Sequence, residues 1–109
     1  MTVRAGGFWF VGVACATLGL PPKPHPRPHP VAITDFTFSP AELTVSVGDS
    51  VTWTNGDALR HSTSADSGAW SSPEMARGEH YTYVAARAGQ FSYRCSAHPV
   101  MRGTLVVRP

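Results

Sequence analysis

Gln90-Phe91-Ser92-Tyr93-Arg94-Cys95-Ser96-Ala97-His98-Pro99-Val100-Met101-Arg102-Gly103-Thr104 decides how this chain is read. Its first half alternates: Phe91, Tyr93 and Cys95 share one face, with Ser92 and Arg94 on the other. That is the period of a half-buried β-strand. Its second half is a tight loop that carries a thiol, an imidazole and a thioether at three-residue steps, Cys95-x-x-His98-x-x-Met101. Pro99 restricts the backbone of His98. Gly103 lets the chain leave the loop for a last strand, Thr104 to Val107. A rigid strand that ends in soft donor atoms is a metal-binding arrangement before it is anything else.

Working outward, short β-rich runs dominate. Val31 to Phe38 is β-rich, but its apolar residues change phase between Ile33 and Phe36, which predicts a bulge or kink. Leu43, Val45 and Val47 alternate with Thr44 and Ser46, and Gly48-Asp49 reads as a hairpin-type turn. Val51 and Trp53 alternate with Thr52 and Thr54, closed by Asn55-Gly56. Ser62 to Ser72 reads as a polar loop, Tyr81 to Val84 as a strand, and Ala88-Gly89 as a turn. Trp53, Trp70, Phe36 and Phe91 are expected in the core, with Met75 packing or exposed and His80 on the surface. Seven to eight short strands predict an all-β fold, a small Greek-key β-sandwich or flattened barrel.

The N-terminal third differs. Met1 to Ala16 has a basic start at Arg4, an apolar Gly-rich stretch and an Ala14-Cys15-Ala16 cleavage site, which predicts an export signal over residues 1–16. The apolar stretch is short for a membrane span, although an uncleaved anchor is the alternative reading. Residues 17–30 carry proline at nearly every second position from Pro22 to Pro30, which predicts a polyproline II linker. His25 and His29 read as plain linker side chains, with copper capture as the alternative. The folded domain is expected over residues 31–109.

The 109-residue chain is 42% hydrophobic and 15% charged with a net charge of +2, which places it among single-domain globular proteins. From Val31 onward six arginines face seven carboxylates, so the domain is near neutral and has no basic stripe for nucleic acid. Cys15 falls in the expected signal, which leaves Cys95 alone. A lone free thiol in an exported protein is an oxidation liability that metal ligation removes.

One further imidazole, His61, follows the strand through Trp53. Two His and one Cys with a weak axial Met compose the donor set of a blue-copper electron-transfer site: thiolate suits Cu(I), and imidazole suits both oxidation states. The run from Tyr93 to Thr104 resembles the copper loop of the cupredoxins, and is closest to the amicyanin branch of the plastocyanin and amicyanin-type proteins. The run Val47 to Asn55 resembles the family strand that precedes the first His ligand. Arg60 and Ser62 depart from the residues common on either side of that His.

The resemblance implies one copper ion per chain, cycling Cu(II)/Cu(I), held by His61, Cys95, His98 and Met101. It places Ser62 and Asn55 around those ligands, with the Ser62 N–H donating to the Cys95 sulfur. It makes His98 the electron gateway inside a docking rim of Ala97, Pro99 and Val100, flanked by Arg60 and Arg102. The function so implied is one-electron transfer between extracytoplasmic protein redox partners, periplasmic or cell-surface, with a possible N-terminal membrane tether. The alternative is copper capture, buffering or delivery. An enzyme is disfavoured because paired His-x-His motifs and an acid/base pair are missing from the sequence.

Overall fold

The computed structural model describes residues 25–109. The expected export segment, residues 1–16, and the linker up to Pro24 lie outside the described residues.

Eight strands make two four-stranded sheets among the described residues: β1 (Pro28–Thr34), β2 (Thr37–Ser39), β3 (Glu42–Ser46), β4 (Ser50–Asn55), β5 (Ser64–Ala65), β6 (His80–Val84), β7 (Gly89–Arg94) and β8 (Arg102–Arg108). One sheet runs β2-β1-β4-β6 and the other β3-β8-β7-β5. The β1–β4 and β3–β8 pairs are parallel, and the remaining pairs are antiparallel. The all-β expectation therefore holds, as a sandwich.

The alternation of the sequence supplies the core. Val31, Ile33, Val51 and Trp53 point inward from the first sheet, and Val45, Tyr93, Leu105 and Val107 from the second. Trp53, Trp70 and Tyr93 meet at the centre, with ring centroids 5.4–5.6 Å apart. Each fully buried apolar side chain of this size contributes about 1.5–3 kcal/mol.

Four expectations change. The phase change after Ile33 is not a bulge. It is a two-residue hairpin turn at Asp35-Phe36, because Thr34 pairs with Thr37 and both turn residues have positive φ, 51° and 59°. That is a type I′ turn, whose twist suits a β-hairpin. Secondly, Ser46 to Asp49 is a turn but not a hairpin: β3 and β4 belong to different sheets. Gly48, with φ of 97°, supplies the left-handed residue, and Asp49 N–H donates to Ser46 O at 2.9 Å.

Thirdly, the Ser-rich stretch is not an open loop. Ser62 to Ala65 are buried, and Ser64–Ala65 pair with Arg94–Tyr93. Hydroxyls satisfy one another there: Ser64 Oγ lies 3.1 Å from Ser71 Oγ, and Trp70 Nε1–H donates to Thr63 Oγ1 at 3.0 Å. Finally, order begins before Val31. Pro28–Pro30 already pair in parallel with β4, and Arg27 O accepts from Ser50 N–H at 3.0 Å. Proline is tolerated because β2 reaches only Ala32–Thr34, which leaves this half of β1 as an edge. Asp49 fastens it, accepting from Arg27 N–H at 2.9 Å and Ser46 N–H at 3.0 Å, with His29 Nε2 also 3.0 Å away. His29 is thus a docked side chain and not a plain linker one.

The strands also set two poles. The turn at Phe36, the end of β4 and the start of β8 gather at one, and Arg27, Ser46, Asp49 and Arg108 gather at the other.

Candidate metal centre

The Cys95–Met101 loop joins β7 to β8 across the Arg94–Arg102 pair. Two backbone bonds close it: Met101 N–H donates to His98 O at 2.9 Å, and Cys95 N–H to Met101 O at 3.2 Å. Cys95 and Met101 are buried and His98 is half-buried. Ala97, Pro99, Val100 and Arg102 are exposed around it, as is Arg60. His61 arrives from the other side, fully buried, fixed by a two-way backbone ladder with Met75 at 2.7 and 3.2 Å.

His61, Cys95 and His98 place one donor atom each within 4.8 Å of one another. The separations are informative. Cys95 Sγ lies 3.9 Å from His61 Nδ1 and 3.7 Å from His98 Nδ1. Ligands about 2.1–2.2 Å from a shared ion, at 120° to each other, stand about 3.7 Å apart. The triad therefore fits a trigonally held cation, with soft and borderline donors that suit copper.

The surrounding bonds orient this set. Ser62 N–H donates to Cys95 Sγ at 3.3 Å, and Ser96 N–H donates to Ser62 Oγ at 3.0 Å, so Ser62 joins the His61 segment to the ligand loop. Donation to a thiolate lowers its electron density and so tunes a bound metal. Asn55, fully buried, acts one step further out. Its Nδ2 donates to Leu59 O at 2.9 Å and Met75 O at 2.8 Å, and its Oδ1 accepts from Asp57 N–H at 2.9 Å. It shapes the loop that delivers His61 without touching the triad.

Sequence reading missed two residues. Asp57 Oδ2 lies 2.9 Å from His61 Nε2. With Nδ1 turned to the sulfur, the ring proton belongs on Nε2 and donates to this carboxylate, which fixes the tautomer and the ring. The same carboxylate accepts from Asp35 N–H at 2.8 Å and Phe36 N–H at 2.9 Å. Those donors, Phe36 foremost, hold the Asp57 carboxyl below the usual carboxylate range. The His61-minus-four spacing was the available signal.

Phe36 is the second. Expected in the core, it is instead 41% exposed, and its ring meets both imidazoles edge-on, at 4.9 Å from His61 and 5.0 Å from His98. The left-handed backbone beneath it costs about 1–2 kcal/mol per non-glycine residue, which the Asp57 bonds offset.

Tyr93 packs against Gly103 across the strand pair that carries the loop. A Cβ at Gly103 would lie 2.4 Å from the Tyr93 ring, so only glycine admits that ring to its buried site. Arg94 and Arg102, at the two stems of the loop, both pair with Asp66, with Arg94 Nη1 2.7 Å from Oδ1 and Arg102 Nη2 against Oδ2. Arg102 and then Arg94 keep the Asp66 carboxyl below its usual range.

A sandwich whose one pole converges a thiolate and two imidazoles defines a small copper protein, and the chain belongs to that class: residues 29–108 match the copper binding proteins of the plastocyanin/azurin family. Among individual relatives it is 37% identical to amicyanin of Paracoccus denitrificans over 82 residues, covering 71% of this chain and 63% of the relative. It is 36% identical to the chloroplastic plastocyanin of Tetradesmus obliquus over 74 residues, covering 58% of this chain and 51% of that protein. The matched region thus spans about three fifths of the length of the amicyanin relative and half that of the plastocyanin. An oxidized amicyanin variant superposes with a TM-score of 0.70 at 33% identity, covering 73% of this chain and 81% of that one. A Cu(I) form of another amicyanin variant gives the same TM-score and identity.

Proposed function

We propose that this protein is a one-electron carrier with a mononuclear blue-copper centre, in which His61, Cys95 and His98 would hold the ion and the buried Met101 would add a weak thioether donor. The observation that carries this reading is the convergence of both Nδ1 atoms on Cys95 Sγ at 3.7 and 3.9 Å. Bound there, a copper ion supplies the electron by cycling between Cu(I) and Cu(II). The protein's part is to hold one geometry for both states. His61 is fixed by Asp57 and Met75, Cys95 by Ser62, and the loop by its two backbone bonds. Burial of Cys95 and His61 keeps water off the sulfur and the inner imidazole.

Half-buried His98 is the exit to a partner, through a rim of Ala97, Pro99 and Val100 that gains Leu59 and Phe36. Arg60 and Arg102 favour an acidic redox partner at that rim, although Arg102 shares its charge with Asp66. The basic start at Arg4, the apolar stretch and the Ala14-Cys15-Ala16 site support export of this chain to the periplasm or cell surface. The copper-capture alternative loses support, since His29 is engaged by Asp49.

The test is Cu(II) addition to the purified protein, read by visible absorption and electron paramagnetic resonance, beside Cys95→Ala. An intense blue colour with narrow copper hyperfine splitting is expected, lost in the variant. A colourless, tetragonal copper signal in the wild type would refute the reading.

A further inference from the structure

Two consecutive non-glycine residues in the left-handed region, one of them a phenylalanine, are uncommon. The turn type they form normally takes Asn-Gly. Strain of this kind persists where the surrounding structure enforces it, and here the Asp57 carboxylate does so by bonding both turn N–H groups. The third donor to that carboxylate is His61. One side chain therefore sets both the position of Phe36 and the orientation of a ligand imidazole.

The ring so placed completes a cluster. Phe36, His61 and His98 have centroids 4.9, 5.0 and 5.1 Å apart, a near-equilateral triangle, and every pair meets at 70–82°. Edge-to-face contact is the preferred aromatic geometry. Among the described residues no other aromatic ring besides His61 packs on His98. His98 otherwise sits on a short loop whose next two residues are exposed, Val100 by 91%.

We propose that Phe36 is a positioning residue for the metal centre: an aromatic brace, seated by the Asp35-Phe36 turn and Asp57, that holds both imidazoles in coordinating geometry and slows the loss of copper. The proposal rests on the blue-copper reading above. Core packing does not account for the residue, since a ring 41% exposed, on a strained turn, gains little from burial.

Glycine at position 36 separates the two roles. Phe36→Gly removes the ring and relieves the positive-φ strain together. The metal-free variant should therefore keep the wild-type urea midpoint. Copper transfer to a Cu(I) chelator should be on the order of tenfold faster, the lower end of the effect expected for residues that orient ligands. The resonance of the Cu(II) form should broaden as the imidazole positions spread. Phe36→Tyr keeps the ring and should behave as wild type. Unchanged copper release in Phe36→Gly would overturn the brace. So would a parallel fall in the metal-free midpoint, which would mark ordinary packing. Either result in a protein whose wild type is blue leaves the carrier reading standing, whereas a wild type that takes up no copper overturns both.

Discussion

Replacing Gly103 with alanine should damage this domain well beyond what one methyl group suggests. The added Cβ would meet Cζ, Oη and Cε1 of Tyr93 at 2.4, 2.5 and 2.7 Å. The ring cannot retreat. It is 1% exposed and is walled by Phe38, Trp53 and Trp70, with centroids 4.8–5.6 Å away. Overpacking a dense core costs typically about 1–3 kcal/mol, and the absence of slack on those three sides puts this case at about 3 kcal/mol. For a domain of this size that corresponds to a fall in Tm of roughly 12–24 °C. Urea unfolding of the metal-free protein measures it, provided the m-value stays constant.

A second background tests the cause. Tyr93→Leu removes all three clashing atoms, so Gly103→Ala in that background should cost close to nothing. The coupling between the two changes would then be roughly 2–3 kcal/mol. An equal cost in both backgrounds, or a negligible cost in the first, would refute the reasoning. The glycine would then serve backbone freedom and not space.

Three further outcomes are expected. Asp57→Asn, which weakens the hold on His61 Nε2, should reduce copper affinity about 10- to 100-fold in chelator competition. Asp49, whose pKa is lowered from 3.8 to about 2 by the Arg27 and Ser46 N–H groups and His29, stabilises the fold above pH 4. That contribution is lost as pH falls from about 4 through 2, so acid unfolding of Asp49→Asn should show a shallower slope in that window. Asp66→Asn frees Arg94 and Arg102 beside the ligand loop. Stability should hardly move, since exposed ion pairs are worth about 0–1 kcal/mol, while electron transfer with an acidic protein should quicken and depend more steeply on ionic strength.

The thiolate and two imidazoles that the structure brings together were legible because their chemistry is local. Cys95 and His98 lie within one loop, after a strand whose alternation is plain, and His61 follows a second such strand. The Phe36 site was not legible for the opposite reason. Asp-Phe carries no type I′ signature, and what stabilises the turn is a carboxylate 21 and 22 residues away in sequence. Ser62 to Ser72 misled in another way. The hydroxyls of Ser62, Thr63 and Ser64 turn inward and find protein partners, Trp70 among them, while Asp66 to Ala69 stay exposed, so composition was right for the tip of the stretch and wrong for its start. At Pro28 and Pro30, proline argued against a strand, and only the short reach of β2 makes those positions an edge that tolerates it.

The parallel entry of β1 fixes an orientation. Its seven residues run from Arg27 and Asp49 at one end to the Phe36 turn at the other, about 20 Å away at the usual strand rise. Any attachment upstream of His25 therefore grips the domain by its foot. The redox edge stands at the head, so a stalked copy would swing its copper outward, toward whatever drifts past.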